Sequence, residues 1–190
     1  PAQTWPHKNH IGLIEATAAL RDRFDVHIPL VFSGRKADHY AHLEKRVNEL
    51  NLREQVHFLG FVTQQELHSL YRLCRCVIIP TKFEAASFPL WEAFFALAPT
   101  ACSNVTSLPR QAGDSALIFN PDDVNDIADC LHRLWTDATL RTELAERGRQ
   151  NVSRFTWQKT AISFRAHYRH LLGLELTHED NAVLDAEPIL

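Results

Sequence analysis

Four residues, Cys76-Val-Ile-Ile79, closed by Pro80, constrain the fold of this chain more than any other stretch. A strand with one wet face alternates polar and apolar side chains. A run apolar at every position buries both faces, as the central strand of a parallel sheet between two helical layers must. Around it, short apolar runs alternate with helical spacings. Residues 27–33 (HIPLVFS) read as a strand ended by Gly34, and 37–50 as a helix with Leu43, Val47 and Leu50 on one face. Residues 56–59 read as a strand closed by Gly60. Thr63 with Glu66 three residues on is a capping box opening a helix that reaches about Leu73. Past the central strand come a helix over 88–97, strands over 100–102 and 115–119, and Asn120-Pro121-Asp122 as turn and helix-start chemistry. The alternation implies an α/β, Rossmann-like parallel sheet with helices on both faces.

From residue 122 the pattern is all-helical, with helices expected near 123–135, 138–150 and 157–172. Residues 174–190 are acidic and lack sustained periodicity, so a domain over 1–173 with a loosely ordered tail is expected. A doubly wound sheet also calls for a strand before the first helix. Residues 1–10, with two prolines, do not supply one.

At 190 residues the chain has room for one sizeable α/β domain. A net charge of −3, without a clustered basic surface, excludes a nucleic-acid footprint. Cys74, Cys76, Cys102 and Cys130 lack metal-ligand spacing and read as small core residues. Most of the eleven histidines read as surface residues. No apolar run approaches the ~20 residues of a membrane span, and no signal peptide is visible. A cytoplasmic location is expected, with room for peripheral membrane association of the whole protein. The chain begins at Pro1 and contains no methionine, which reads as a domain excised from a longer protein.

Chemistry concentrates in Thr81-Lys-Phe-Glu-Ala-Ala-Ser-Phe-Pro-Leu-Trp-Glu-Ala93, between the central strand and the next helix. Ligands of open parallel sheets bind beyond the carboxyl ends of the strands. Pro89 suits a helix's first turn, and the amides around Ser87, Phe88 and Leu90 are then expected to face the crevice and receive a phosphate. Glu84 in the loop and Glu92 on the helix make better sense turned toward hydroxyl groups, since an ionised carboxylate only accepts. By spacing alone, Glu92 could equally complement the helix dipole and Glu84 be solvated.

The segment resembles the paired-glutamate motif of GT-B glycosyltransferases, especially the retaining family four: a Glu, seven residues, a Glu, then Ala. Glu84, Glu92, Pro89 and Ala93 match it. Lys8-Asn9-His10 is similar to the family's donor-phosphate lysine, and Phe58-Leu-Gly-Phe61 to its base-binding turn. Ser103-Asn104-Val105 and Gly113-Asp114-Ser115-Ala116 resemble the next two loops, and Phe155-Thr-Trp157 the start of its closing helix. The likeness covers about residues 1–173, in order.

It implies the C-terminal donor-binding domain of an enzyme that transfers a sugar from a nucleoside diphosphate sugar, with retention. The partners implied are that donor and an N-terminal acceptor-binding domain of the same protein, without which the fragment is expected to be poorly active. Glu84 would bind hydroxyls of the sugar and Glu92 the ribose. Lys8 would neutralise the diphosphate, with the amides near Ser87, Phe88 and Leu90 completing the cradle. The backbone of Gly60, Phe61 and Val62 would recognise the base, and Arg35 could add a phosphate contact. No cofactor and no metal are implied. A non-catalytic nucleotide-sugar-binding module, a GT-B epimerase and a phosphorylase remain alternatives. Two departures matter. Ala85, Ala86 and Ser87 stand where relatives commonly carry Gly-Phe-Gly, and Arg110 where many carry an acid.

Overall fold

The computed structural model describes residues 1–186. A 3-10 turn, Pro6–Lys8, leads into α1 (His10–Phe24). There follow β1 (Leu30–Ser33), α2 (Tyr40–Glu49), β2 (Val56–Gly60), α3 (Gln64–Leu73), β3 (Val77–Ile79), α4 (Phe88–Phe95) and β4 (Thr100–Ser103). Next come α5 (Leu108–Ala112), β5 (Leu117–Phe119), α6 (Val124–Thr136), α7 (Ala138–Val152), α8 (Trp157–Leu171) and α9 (His178–Leu184). β1 pairs with β2, and β3, β4 and β5 pair in that order, all in parallel. The α/β class and the parallel strands agree with the sequence reading.

Both faces of the sheet are covered, as the apolar run at 76–79 requires. Successive residues of β4 face opposite ways: Ala101 joins a core with Ile14, Leu20, Ile127 and Leu131, and Cys102 one with Leu90, Phe94 and Leu108. Full burial of a Leu or Ile here contributes roughly 2 kcal/mol. α7 meets α4 at Gly148, where a Cβ would come within 2.7 Å of the Phe94 ring. Only glycine allows that approach.

Some boundaries differ from expectation, for local reasons. β1 begins at Leu30 rather than at residue 27 because its ladder opens with Leu30 opposite Val56, the first residue of β2. Residues 37–39 form a turn, closed by the Tyr40 amide on the Ala37 carbonyl at 2.9 Å, before α2 starts. The capping box at Thr63 forms as read, with its hydroxyl accepting from the Glu66 amide. α5, with Pro109 in its first turn, was not expected; five residues are too few to show a period.

The tail reading needs correction. Residues 178–184 form α9, opened by a capping box between Thr177 and Asp180. Asp180 is buried and takes Arg165 and Arg169 of α8 at 2.8 Å each, so polar contacts rather than an apolar stripe hold this helix. Residues 187–190 of the expected tail lie outside the described residues. Among the described residues no strand precedes α1. Ala2 and Thr4 instead donate to the carbonyls of Ser33 (2.8 Å) and Arg35 (3.2 Å), running parallel to the end of β1.

Candidate functional site

Within each sheet the strands run in parallel, so their last residues, Ser33 and Gly60 in one and Ile79 and Ser103 in the other, lie toward its carboxyl end. The loops that follow carry the candidate residues. Lys8 closes the 3-10 turn, and Asn9 behind it adopts a left-handed conformation (φ 54°). The Asn9 side chain accepts from the Gly12 amide at 3.3 Å and donates to the Pro121 carbonyl at 2.9 Å, pinning the turn to α1 and to the loop after β5. The His7 carbonyl accepts from the Thr81 hydroxyl (3.0 Å) and the Lys82 amide (2.7 Å), so the loop after β3 is stitched to the residue before Lys8. This stitching brings Lys8 Nζ to 2.5 Å from Glu84 Oε2, with side-chain exposures of 23% and 17%.

The pair lines a cleft with His10, Thr81, Ser87 and Pro89. His10 is a buried exception to the surface reading of the histidines. Burial first, with nearby Lys8 adding to it, pushes its imidazole down to about 4. It is therefore neutral at pH 7.

The segment between the glutamates is held from the side. The Glu84 carbonyl accepts from the hydroxyls of Thr106 and Ser107, and the Ala85 carbonyl from Ser107 Oγ at 2.6 Å. Ser87 donates its amide to Gln111 Oε1 (2.9 Å) and accepts at its carbonyl from Gln111 Nε2 (2.7 Å). This corrects one expectation: the Ser87 amide is occupied and does not face a ligand. The Phe88 and Leu90 amides lie in the first turn of α4, where helix geometry provides no intrahelical acceptor. The Leu90 side chain is fully buried, whereas that of Phe88 is exposed and packs edge-on against Trp91.

Glu92 faces a different recess from Glu84. It lines a groove between α3 and α4 with Gln64, His68, Tyr71, Trp91 and Phe95. Its carboxylate accepts from the Tyr71 hydroxyl at 2.9 Å. Burial, and then the Glu92 carboxylate beside it, raises the Tyr71 phenol well above its ordinary range, so it stays a donor. Gly60 ends β2 with φ +73°, a conformation that favours glycine, and Phe61 beyond it is 88% exposed. Val62 precedes the capping residue of α3. Arg35 follows Gly34 beyond β1, and its carbonyl receives the Thr4 amide.

Sequence reasoning missed Tyr71, Gln111, Thr106 and Ser107. Tyr71 reads as one more apolar position of an amphipathic helix. The other three contact backbone atoms, which leave no trace in sequence. The cysteines behave as read: all four are free, and burial pushes Cys76 and Cys102 up to about 12. Among the described residues no helix is long and apolar enough to cross a membrane.

Parallel strands wrapped by helices, with an ammonium–carboxylate pair and a helix N-terminus beyond their carboxyl ends, make a Rossmann-like domain with its candidate site where open parallel sheets bind ligands. Residues 2–151 match the family model of glycosyl transferases group 1, and the chain belongs to that family. It is 31% identical over 153 residues to O-antigen chain mannosyltransferase B of Escherichia coli, covering 80% of this chain and 40% of that protein. It is 30% identical over 172 residues to an MMP α-(1→4)-mannosyltransferase of Mycolicibacterium hassiacum, covering 88% of this chain and 41% of the relative. The C-terminal domain of a glycosyl transferase group 1 family protein from Francisella tularensis superimposes with a TM-score of 0.72 at 24% identity. That match covers 81% of this chain and 82% of that one. The chain thus spans about 40% of the length of the curated relatives just named.

Proposed function

We propose that this chain is the donor half of a retaining, metal-independent glycosyltransferase that moves mannose from a nucleoside diphosphate to an acceptor held by a second domain of the same protein. The observation that carries the reading is the Lys8–Glu84 pair, set beside the first turn of α4. An ammonium has three N–H groups, and Glu84 uses one. Two remain for the oxygens of a diphosphate, where a cation stabilises the charge that develops as the sugar leaves. Glu84 keeps acceptor capacity for hydroxyls of the sugar. The Phe88 and Leu90 amides add donors to the diphosphate, and Glu92, in its own groove, takes the ribose.

The backbone at Gly60, Phe61 and Val62 takes the base in this reading, and Arg35 adds a phosphate contact. The sugar is taken from the relatives, both of which are named mannosyltransferases. Neither a cofactor nor a metal enters, and a cytoplasmic location belongs to the same reading.

Calorimetric titration of the chain with GDP, UDP and ADP and with their mannose and glucose conjugates tests the proposal. A diphosphate should bind, its mannose conjugate should bind more tightly, and Glu92→Ala should weaken both. Binding of none of these ligands overturns the assignment.

A further inference from the structure

The Ser87 hydroxyl is out of place by the ordinary rules of helix capping. Ser87 is the N-cap of α4, where a serine oxygen usually accepts from the second or third helical amide. Here it makes no capping bond. Pro89 stands in the first turn and offers no amide. The residue is fully buried, and its Oγ has no hydrogen-bond partner among the described residues. Left so, a buried hydroxyl only costs stability.

Ser87 is among the residues that line the cleft of Lys8 and Glu84. His10 Nδ1, the other buried and unpartnered polar atom lining this cleft, belongs to the same wall. The Ser87 backbone is also held in place. Gln111, itself fully buried, grips the amide and the carbonyl of Ser87, and Asn151 Nδ2 in turn donates to the Gln111 carbonyl at 3.2 Å. Both backbone groups of Ser87 are thereby occupied. The hydroxyl is the group it has left to offer.

We propose that the Ser87 hydroxyl binds a hydroxyl of the transferred sugar and so sets sugar specificity, with Gln111 as the positioning residue that aims it. This rests on the donor-site reading above. A sugar hydroxyl fits better than a phosphate because a serine both donates and accepts, as a sugar hydroxyl does, whereas an ionised phosphate oxygen only accepts. An alanine at this place could do neither.

The test titrates wild type, Ser87→Ala, Gln111→Leu and the double variant with GDP and GDP-mannose, and with UDP and UDP-glucose. The quantity read is the ratio of affinities between the conjugate and its free diphosphate. Ser87→Ala should reduce that ratio about 5- to 10-fold, the worth of one hydrogen bond, and leave the free diphosphate unchanged. Its melting temperature should hold or rise, because an unpartnered hydroxyl is removed. Gln111→Leu should lower both the ratio and the melting temperature, yet reduce the ratio no further in the Ser87→Ala background. That non-additivity separates positioning from mere structural support.

An unchanged ratio in Ser87→Ala overturns the proposal. Equal weakening of the free diphosphate and its conjugate also overturns it, by giving the hydroxyl to the phosphates. Wild-type protein that binds neither diphosphate overturns the donor-site reading itself, and this inference with it.

Discussion

Lys8 donates to Glu84 at 2.5 Å across 76 residues of sequence, joining the turn before α1 to the loop after β3. Both side chains are mostly buried, so the pair is screened less than a surface ion pair. A double-mutant cycle with Lys8→Met and Glu84→Gln should give a coupling of about 1–2 kcal/mol in thermal or urea unfolding. Additive effects would show that the two side chains do not support each other.

Tyr71 and Glu92 make the matching prediction for the groove between α3 and α4. Tyr71→Phe should cost about 1 kcal/mol of stability, through the lost hydrogen bond to Glu92. Glu92→Ala should weaken a ribonucleotide about tenfold in calorimetry, the scale of one charge-assisted hydrogen bond. It should leave the 2′,3′-dideoxy analogue unaffected. Equal losses for both nucleotides would remove the ribose from this carboxylate.

His10 predicts a pH dependence with a definite sign. Its imidazole is held at about 4 in the folded chain against an ordinary 6.5, by burial first and by nearby Lys8. The unfolded chain therefore binds a proton that the folded chain refuses between those values, and stability falls as pH drops from about 6.5 to 4. The full loss is about 3 kcal/mol. Urea melts at steps of pH should show that slope, and His10→Phe, which keeps a ring against Phe32, should flatten it.

Asp180 predicts a local opening. The Thr177 amide and hydroxyl, followed by Arg169 and Arg165, hold its carboxyl below the usual carboxylate range. Asp180→Ala should release α9 from α8. Hydrogen exchange over residues 178–184 should then rise to near-unprotected rates while β3, β4 and α4 keep their protection. Protection of 178–184 that survives the substitution would mean apolar contacts hold the helix.

How much of this was legible follows the range of each interaction. Residues 76–79 announced a buried strand because burial on both faces is written into consecutive side chains. The capping box at Thr63 was legible for the same reason, since its two partners lie three residues apart. So was the one at α9 in principle, from Thr177 and Asp180. It is hard to recognise there because a helix docked through arginines shows no apolar period. The site divides likewise. Glu84, Glu92 and Lys8 stood out by type and spacing, but the occupation of the Ser87 amide by Gln111, 24 residues on, could not be read.

The sequence by itself determined the α/β class, the order of the elements and the stretch that carries the chemistry, because periodicity, caps and turns act over a few neighbouring residues. Only the tertiary structure decided which groups meet. It set Lys8 against Glu84, gave Glu92 to Tyr71 in a separate groove, and clamped the Ser87 backbone so that its hydroxyl was left over. Hydrogen bonds between distant segments depend on how helices and strands pack in space. A linear pattern specifies that a surface will be buried, and not the atom that will face it.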